Sequence, residues 1–536
     1  MINTISRNNI LFLLSVILLL LGLTPILFSG LYSDDAMNFL MRQGVAAQQE
    51  QSAFTLALPD IKLWMSYGRF TPLNLIWLAF VFKHFTTVAG YKAMVFVMNV
   101  LAAGVFLLYL KQLNTGIKNA IWLVFFCALI QFRIQYHDPF TSLNAMYQLL
   151  AILLFFTGYV YARYITSGNW PWLVACYLGI GITLLFSEFG LLLMVFLPLT
   201  GLILRAAFKR IVFTMLPAVL IALVFLGYTA YLRSLVDPNN SYAGLSSNTD
   251  PAAMWELIKM QLFAALPLSN FYHQGNIPGT LAPQFASVKV MLLALAMLVV
   301  GAAIVLQQKK QAADADAKPV NWWFVLLMLS IVVLPAIIIS PSLKYQREMR
   351  LGIGYLPVYI QSMGTAGLLA CLYTYVQQSI TRRVGATFLL VFAVGCTVLS
   401  LLFNNALVRT KNILSSYPQM AFQQAVKEGF LDDCEDGSAI LIRNSPFWHS
   451  GWLYREIFKN LTGKTFMVFD INKGDFVSFE GYPFCYRIDC TPGSDYKAQL
   501  YRMHCSGRDT AGQLIKERTF PLGIVLTKEE RIILWR

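Results

Sequence analysis

Residues 10–40 read "ILFLLSVILLLLGLTPILFSGLYSDDAMNFL". The stretch 10–30 carries no charge and meets the roughly 20-residue requirement for an α-helix to cross a bilayer. Two adjacent carboxylates, Asp34 and Asp35, follow at once. The apolar run is longer than a secretory signal core and has no small-residue cleavage site, so it reads as a retained anchor.

The pattern repeats along the chain. Further apolar spans are expected at 91–110, 119–135, 143–163, 171–187, 188–204, 211–232, 285–306, 321–340, 354–377 and 385–403. The prediction is an α-helical polytopic membrane protein with about eleven transmembrane helices. Composition agrees: 57% of residues are hydrophobic and only 13% charged, against about 25% charged in soluble domains. Mean hydropathy is +0.59.

The net charge of +14 is not gathered into an arm or stripe, so nucleic acid is not an expected partner. The cations fall in short loops between spans, at Arg7, Lys111, Lys118, Arg163, Arg205, Lys209, Arg210, Lys309, Lys310, Arg382 and Arg383. The positive-inside rule makes that side cytoplasmic. It follows that the N-terminus is cytoplasmic and the C-terminus outside. Residues 70–85 are apolar yet only about 15 long, short for a crossing, and are expected to be re-entrant or to lie on the surface.

Two domains are expected: a membrane domain over 1–403 with long outer loops at 31–90 and 233–284, and a soluble domain over 404–536. The second alternates turn signals with short β-prone runs, as in a small α/β or mostly-β domain. Its length of about 130 residues is enough for a core of its own. Four of the chain's 8 cysteines lie there, namely Cys434, Cys485, Cys490 and Cys505. An even set outside the cytoplasm suits two disulfides, with three possible pairings.

Ionisable groups near membrane depth are costly and mark candidate sites. On the expected topology they share the outer face. Ser33 can cap a helix beginning at Asp34, with both carboxylates favoured by its dipole. Alternatively, one carboxylate is a general base whose pKa is raised by burial and a like-charged neighbour. In "SYGRFTPL" (66–73) Arg69 suits an ion pair or a phosphate. In "RIQYHDPFTS" (133–142) His137 and Asp138 either end a helix or join the site. Glu188, between two apolar runs, should be paired, with Arg69 or Arg347 as partner. The loop "SPSLKYQREMRLGIGYLPVY" (340–359) carries Lys344, Arg347 and Arg350. Guanidinium groups bind phosphate oxygens in pairs, and lysine binds them as a point charge. The aromatic residues Trp64, Tyr67, Tyr272 and Tyr345 suit sugar stacking or an interfacial belt. No P-loop, zinc spacing, GxSxG or kinase motif occurs.

An outward carboxylate pair after the first span, many helices and an external C-terminal domain together resemble the GT-C superfamily. These are membrane glycosyltransferases that use polyprenyl-phosphate-linked sugars. The likeness is to bacterial enzymes that decorate surface polysaccharides, including O-antigen glucosyltransferases acting on lipopolysaccharide. It covers roughly residues 1–403. The resemblance implies a bacterial inner membrane, a polyprenyl-phosphate-sugar donor and a glycan or lipid-linked acceptor. It also implies a first-loop base at Asp34 or Asp35, a second acidic position at Asp138 and a third at Glu188. Ser187 stands where the family often has Lys. A clear Asp-x-Asp is lacking in the outer loops, so no motif supports a divalent metal, and no other cofactor is implied.

The chemistry matches these residue types. A sugar hydroxyl attacking the anomeric carbon needs one base, and the departing phosphate needs positive charge. A single base predicts inversion. Other readings are a lipid-linked oligosaccharide ligase or polymerase, and a transporter or flippase of lipid-linked sugars. The transporter would call for internal repeats and helices broken at mid-membrane.

Overall fold

A computed structural model describes residues 7–32, 34–39, 51–133, 138–236, 246–274, 281, 283–285, 287–312, 320–377, 383–444, 451–470, 482–491, 495–503 and 512–521. Among them, 7 helices are long and apolar enough to cross a membrane. They are Asn8–Phe28, Val88–Leu113, Leu143–Ser167, Phe208–Ser234, Val288–Gln308, Trp322–Ile339 and Val384–Lys411. Two shorter apolar helices cover Trp170–Phe186 and Glu188–Ile203. From the Phe208–Ser234 helix, Leu216, Leu220, Leu223 and Val224 project unburied. A row of that size is at home in lipid rather than water. The chain is a multi-pass helical membrane protein.

The chain folds into two compact units. One comprises Met1–Leu27, Ala53–Ala79 and Lys92–Ala406; the other comprises Phe28–Ser52, Phe80–Tyr91 and Leu407–Arg536.

Within the first unit, the helix Val358–Gln377 packs along Trp322–Ile339 and Asn119–Cys127. Small residues bring the backbones together. A Cβ on Gly364 would stand 2.8 Å from the Met328 carbonyl, and one on Gly367 would run into Met328 Sδ. Surrounded by protein, this helix tolerates buried Gln361, Ser362 and Thr365.

The expected span at 119–135 is corrected. The helix covers only Asn119–Cys127, and every residue from Ala120 to Cys127 is buried. Beyond it the backbone unwinds, because side chains take over its hydrogen bonds. Phe132 N donates to Asn404 Oδ1 at 2.8 Å, and Asn404 Nδ2 donates to the Ile130 carbonyl at 2.9 Å. Non-helical backbone away from water is stable only when protein satisfies its polar groups. The span expected at 385–403 belongs to a helix that continues to Lys411.

The stretch expected at 70–85 is a helix, Pro72–His84, of 13 residues. It pairs with the helix Ala53–Ser66 through Ala57, Leu75 and Ala79, with Trp64 and Ile76 alongside. Between them Gly68, at φ +77°, forms the left-handed cap. Its N–H reaches the Met65 carbonyl (2.9 Å), and that of Arg69 reaches the Trp64 carbonyl (2.9 Å). This pair of bonds closes the helix end.

In the second unit, a 5-stranded sheet has the order β2-β1-β3-β4-β5. The strands are β1 (Ala439–Arg443), β2 (Met467–Asp470), β3 (Cys485–Thr491), β4 (Asp495–Met503) and β5 (Gly512–Pro521). β1 runs parallel to β2 and β3, while β4 is antiparallel to both β3 and β5. The helices Tyr417–Lys427 and Gly451–Thr462 contribute Phe422, Val426, Ile457 and Phe458 to a core with Ile440, Ile442, Tyr486, Ile488 and Leu500. The domain is α/β.

The two-disulfide expectation is also corrected. Cys485 is disulfide-bonded, whereas Cys434 and Cys490 keep their thiols, buried within that core. Cys505 lies outside the described residues. Burial pushes the Cys434 thiol up to about 12, so little thiolate exists to react. Iodoacetamide applied to the native protein is expected to leave Cys434 and Cys490 unmodified, and to alkylate both once denaturant is added without reductant. Peptide mass spectrometry reads the outcome, and native labelling of either would contradict the buried placement.

Candidate active site

The aspartate pair belongs to the second unit. Residues 34–39 form a short helical turn, with the Asp35 N–H on the Tyr32 carbonyl at 3.1 Å. Asn38 Nδ2 donates to the Asp34 carbonyl at 2.8 Å. The two neighbours differ in exposure. Asp35 is 2% exposed, whereas Asp34 is half-buried. Successive residues on a helix do not share a face, and Ala36 and Phe39 are buried with Asp35. The Ser33 cap lies outside the described residues.

Both ends of this stretch are held. Downstream, Met37 packs on the α/β core, and Phe39 meets the Phe82 ring edge-on at 6.3 Å. Upstream, Asn412 grips the backbone. Its Oδ1 accepts from Gly30 N–H and the Tyr32 hydroxyl, each at 2.8 Å, and its Nδ2 donates to the Phe28 carbonyl at 2.9 Å. A Cβ on Gly30 would run into Ser416 Oγ and Cβ, so only glycine permits this approach. Nothing in the sequence pattern singles out Asn412; its partners lie more than 370 positions away in the chain.

A second polar group lies in the helical unit. The Gly68 turn folds Arg69 back over Trp64, with its guanidinium carbon 4.6 Å from the ring centroid. The same turn sits on the end of the Phe208–Ser234 helix. Phe70 packs on Tyr228 at 4.7 Å, and a Cβ on Gly68 would lie 3.0 Å from Arg233 Cγ. Arg233 is the ion-pair partner of Glu188, with Nη2 to Oε1 at 3.4 Å. It takes the place expected for Arg69 or Arg347. Glu188 opens the 3-10 turn Glu188–Leu192, which Ser187 caps by accepting from Phe189 N–H at 3.3 Å. Tyr147 is buried, and its ring meets that of Phe189, the residue after Glu188, at 6.2 Å.

Tyr345 belongs to the short helix Leu343–Glu348, and its ring lies 4.2 Å from that of Tyr355. A bridge between Ser247 and Ser342 clamps this helix. Gln346 adds bonds from Nε2 to the Asn248 carbonyl (3.0 Å) and the Ser340 carbonyl (2.8 Å). Lys344 and Arg347 fall three residues apart, on one helix face. Lys344 is half-buried, and Arg347 and Arg350 are exposed.

Asp138 sits deeper. Its Oδ1 accepts from Phe140 N–H (2.7 Å) and Thr141 N–H (3.0 Å), and its Oδ2 from Arg133 N–H. Burial pushes its carboxyl above the usual range, while these N–H groups and the Arg133 charge pull it back. Arg133, which no motif marks, is buried. It donates through Nη1 to the Gln131 carbonyl (2.6 Å), through Nη2 to that of Ala264 (3.0 Å), and through Nε to that of Ile353. Asp138 thus orders the backbone at Phe140 and Thr141, and Arg133 ties Gln131 to Ala264 and Ile353. His137 lies outside the described residues. Tyr272 meets Phe263 at 5.7 Å, and Tyr67 is half-buried. Among the described residues, no three His, Cys, Asp or Glu side chains gather as a metal site.

No family model matches the chain, and no curated protein matches it. Among solved structures, it is similar to the crystal structure of ArnT from Cupriavidus metallidurans bound to undecaprenyl phosphate. Identity is 13%, with 89% of this chain and 92% of that one covered, at a TM-score of 0.37. That likeness adds nothing to the placement of individual residues.

Proposed function

We propose that the protein is an inverting, GT-C-type hexosyltransferase. It moves a sugar from a polyprenyl-phosphate donor to a surface glycan or lipid-linked acceptor at the outer face of the bacterial inner membrane. The observation that carries this reading is the state of the aspartate pair. It follows the first span directly and is held at both ends, with one carboxylate buried and the other half-buried beside it.

In the transfer, an acceptor hydroxyl oxygen forms the new bond to the anomeric carbon. One aspartate takes its proton, and the bond from that carbon to the phosphate oxygen breaks with its electron pair staying on the phosphate. Attack opposite the leaving group inverts the centre. Lys344 and Arg347, on one face of a clamped helix, are suited to neutralise that phosphate, with Arg350 nearby in the chain. Arg69 and Glu188 are suited to bond sugar hydroxyls, and Asp138 orders the turn through Phe140 and Thr141.

The unwound stretch after Cys127 is a feature that transporters also use. Here the backbone at Ile130 and Phe132 and the Arg133 guanidinium are bonded to protein, which favours a fixed element over a gating one.

The test uses the purified protein in vesicles containing polyprenyl-phosphate-linked glucose, with lipopolysaccharide polysaccharide as acceptor. Expected results are equal amounts of product and released polyprenyl phosphate, and an inverted anomeric centre. Arg347→Ala should raise the apparent donor KM about tenfold, worth about 1.4 kcal/mol, with acceptor KM unchanged. Movement of intact donor across the vesicle without phosphate release would favour the transporter. Transfer of whole oligosaccharides in place of single sugars would favour the ligase.

A further inference from the structure

The last long helix does not pass smoothly into the soluble domain. After Lys411 the chain makes a π-helical turn, Asn412–Ser416, in which the Tyr417 N–H reaches back five positions to the Asn412 carbonyl. Such turns insert an extra residue into a helix at a cost, and occur often at functional sites. Here the turn presents the Asn412 amide and Ser416 to the segment that leads into Asp34. The amide matches that backbone on both sides, as acceptor from Gly30 N–H and donor to the Phe28 carbonyl. Tyr32 adds a third link, its hydroxyl bonding both Asn412 Oδ1 and, at 3.4 Å, the Val408 carbonyl. Asn412 is 4% exposed, so these bonds are not shared with bulk water.

We propose that Asn412 is a positioning residue for transfer: from the π-helical turn it fixes the Phe28–Tyr32 segment and so sets where the Asp34 and Asp35 carboxylates lie. This rests on the reading of that pair as the base. The path from latch to carboxylates is short: Tyr32, held by Asn412, itself accepts the Asp35 N–H at its carbonyl, so a slip at the latch is passed to the pair. Misplacing a reacting group by about 1 Å costs on the order of 10²-fold in rate. The soluble domain thereby gains a role in the chemistry that does not require it to touch substrate.

The experiment measures kcat and both KM values for the full-length protein in vesicles, with polyprenyl-phosphate-linked glucose and lipopolysaccharide polysaccharide. Asn412→Ala is expected to lower kcat about 10²-fold and to leave both KM values within about twofold. Asn412→Asp keeps the acceptor for Gly30 and Tyr32 but loses the donor to the Phe28 carbonyl, and should recover only part of that loss. Gly30→Ala, which pushes the segment off Ser416, should reproduce the kcat defect. An Asn412→Ala protein that folds and turns over at the normal rate overturns the proposal, as does a loss that appears in KM with kcat unchanged. If Asn412→Ala does not fold, Tyr32→Phe decides: reduced kcat supports positioning, and unchanged kcat refutes it. Asp34→Asn and Asp35→Asn are assayed in parallel. Full activity in both removes the base reading and this proposal with it. Activity lost there but kept in Asn412→Ala refutes positioning alone.

Discussion

Asp34→Asn is expected to reduce kcat by about 10³-fold, close to 4 kcal/mol of barrier, with little change in either KM and normal insertion into the membrane. The argument is one of access and environment. A general base must reach the acceptor hydroxyl, and Asp34 is the half-buried member of the pair. The amide preserves size and can still cap a helix, but it cannot take a proton. Asp35→Asn should also depress transfer, yet with a different signature. Its side chain is 2% exposed, so replacing a buried acceptor with a partial donor disturbs the neighbours of the reacting carboxylate as well as its field. A lower thermal midpoint should accompany its lost activity. Initial-rate kinetics and thermal unfolding of the two proteins, side by side, separate base from support. If both retain full transfer, the assignment of the pair is wrong.

The parts that sequence could reveal were those written locally. A run of apolar residues long enough for the bilayer is legible wherever it occurs, because length and hydropathy are local quantities. What sequence could not reveal depends on partners far along the chain. The apolar run at 119–135 looks like one crossing until Asn404, from a distant helix, takes the hydrogen bonds that would have continued it. Asn404, Arg409 and Lys411 look like the polar end of a span, yet the helix runs through them. An even set of four cysteines suggests two bridges, but Cys434 and Cys490 face an apolar core in which a thiol packs as a small hydrophobe. Glu188 announced that it needed a cation without saying which one. Arg233 was hidden at the end of a helix that looked fully accounted for. Asn412 was invisible, because an asparagine near a helix end is common and its function lies wholly in what it touches.

Arg133→Met should be the most destabilising single change in the helical unit, by about 3–5 kcal/mol, seen as a lowered unfolding midpoint and poor recovery in detergent. The methionine fills similar space but removes the donors to the carbonyls of Gln131, Ala264 and Ile353. Three elements remote in sequence lose their common tie, and the buried Asp138 carboxyl loses the Arg133 charge. Leaving buried acceptors unmet costs more than the bonds themselves contribute. Arg133→Lys should recover little, since one ammonium cannot span the planar fork that serves separate carbonyls. The control is Arg347→Met. That arginine is exposed on a helix held by Gln346, so its loss should leave the midpoint within about 0.5 kcal/mol. The two arginines therefore separate stability from donor use. An unchanged midpoint for Arg133→Met would mean that the Asp138 loop is held by the backbone bonds of Phe140 and Thr141 alone, with Arg133 a passenger.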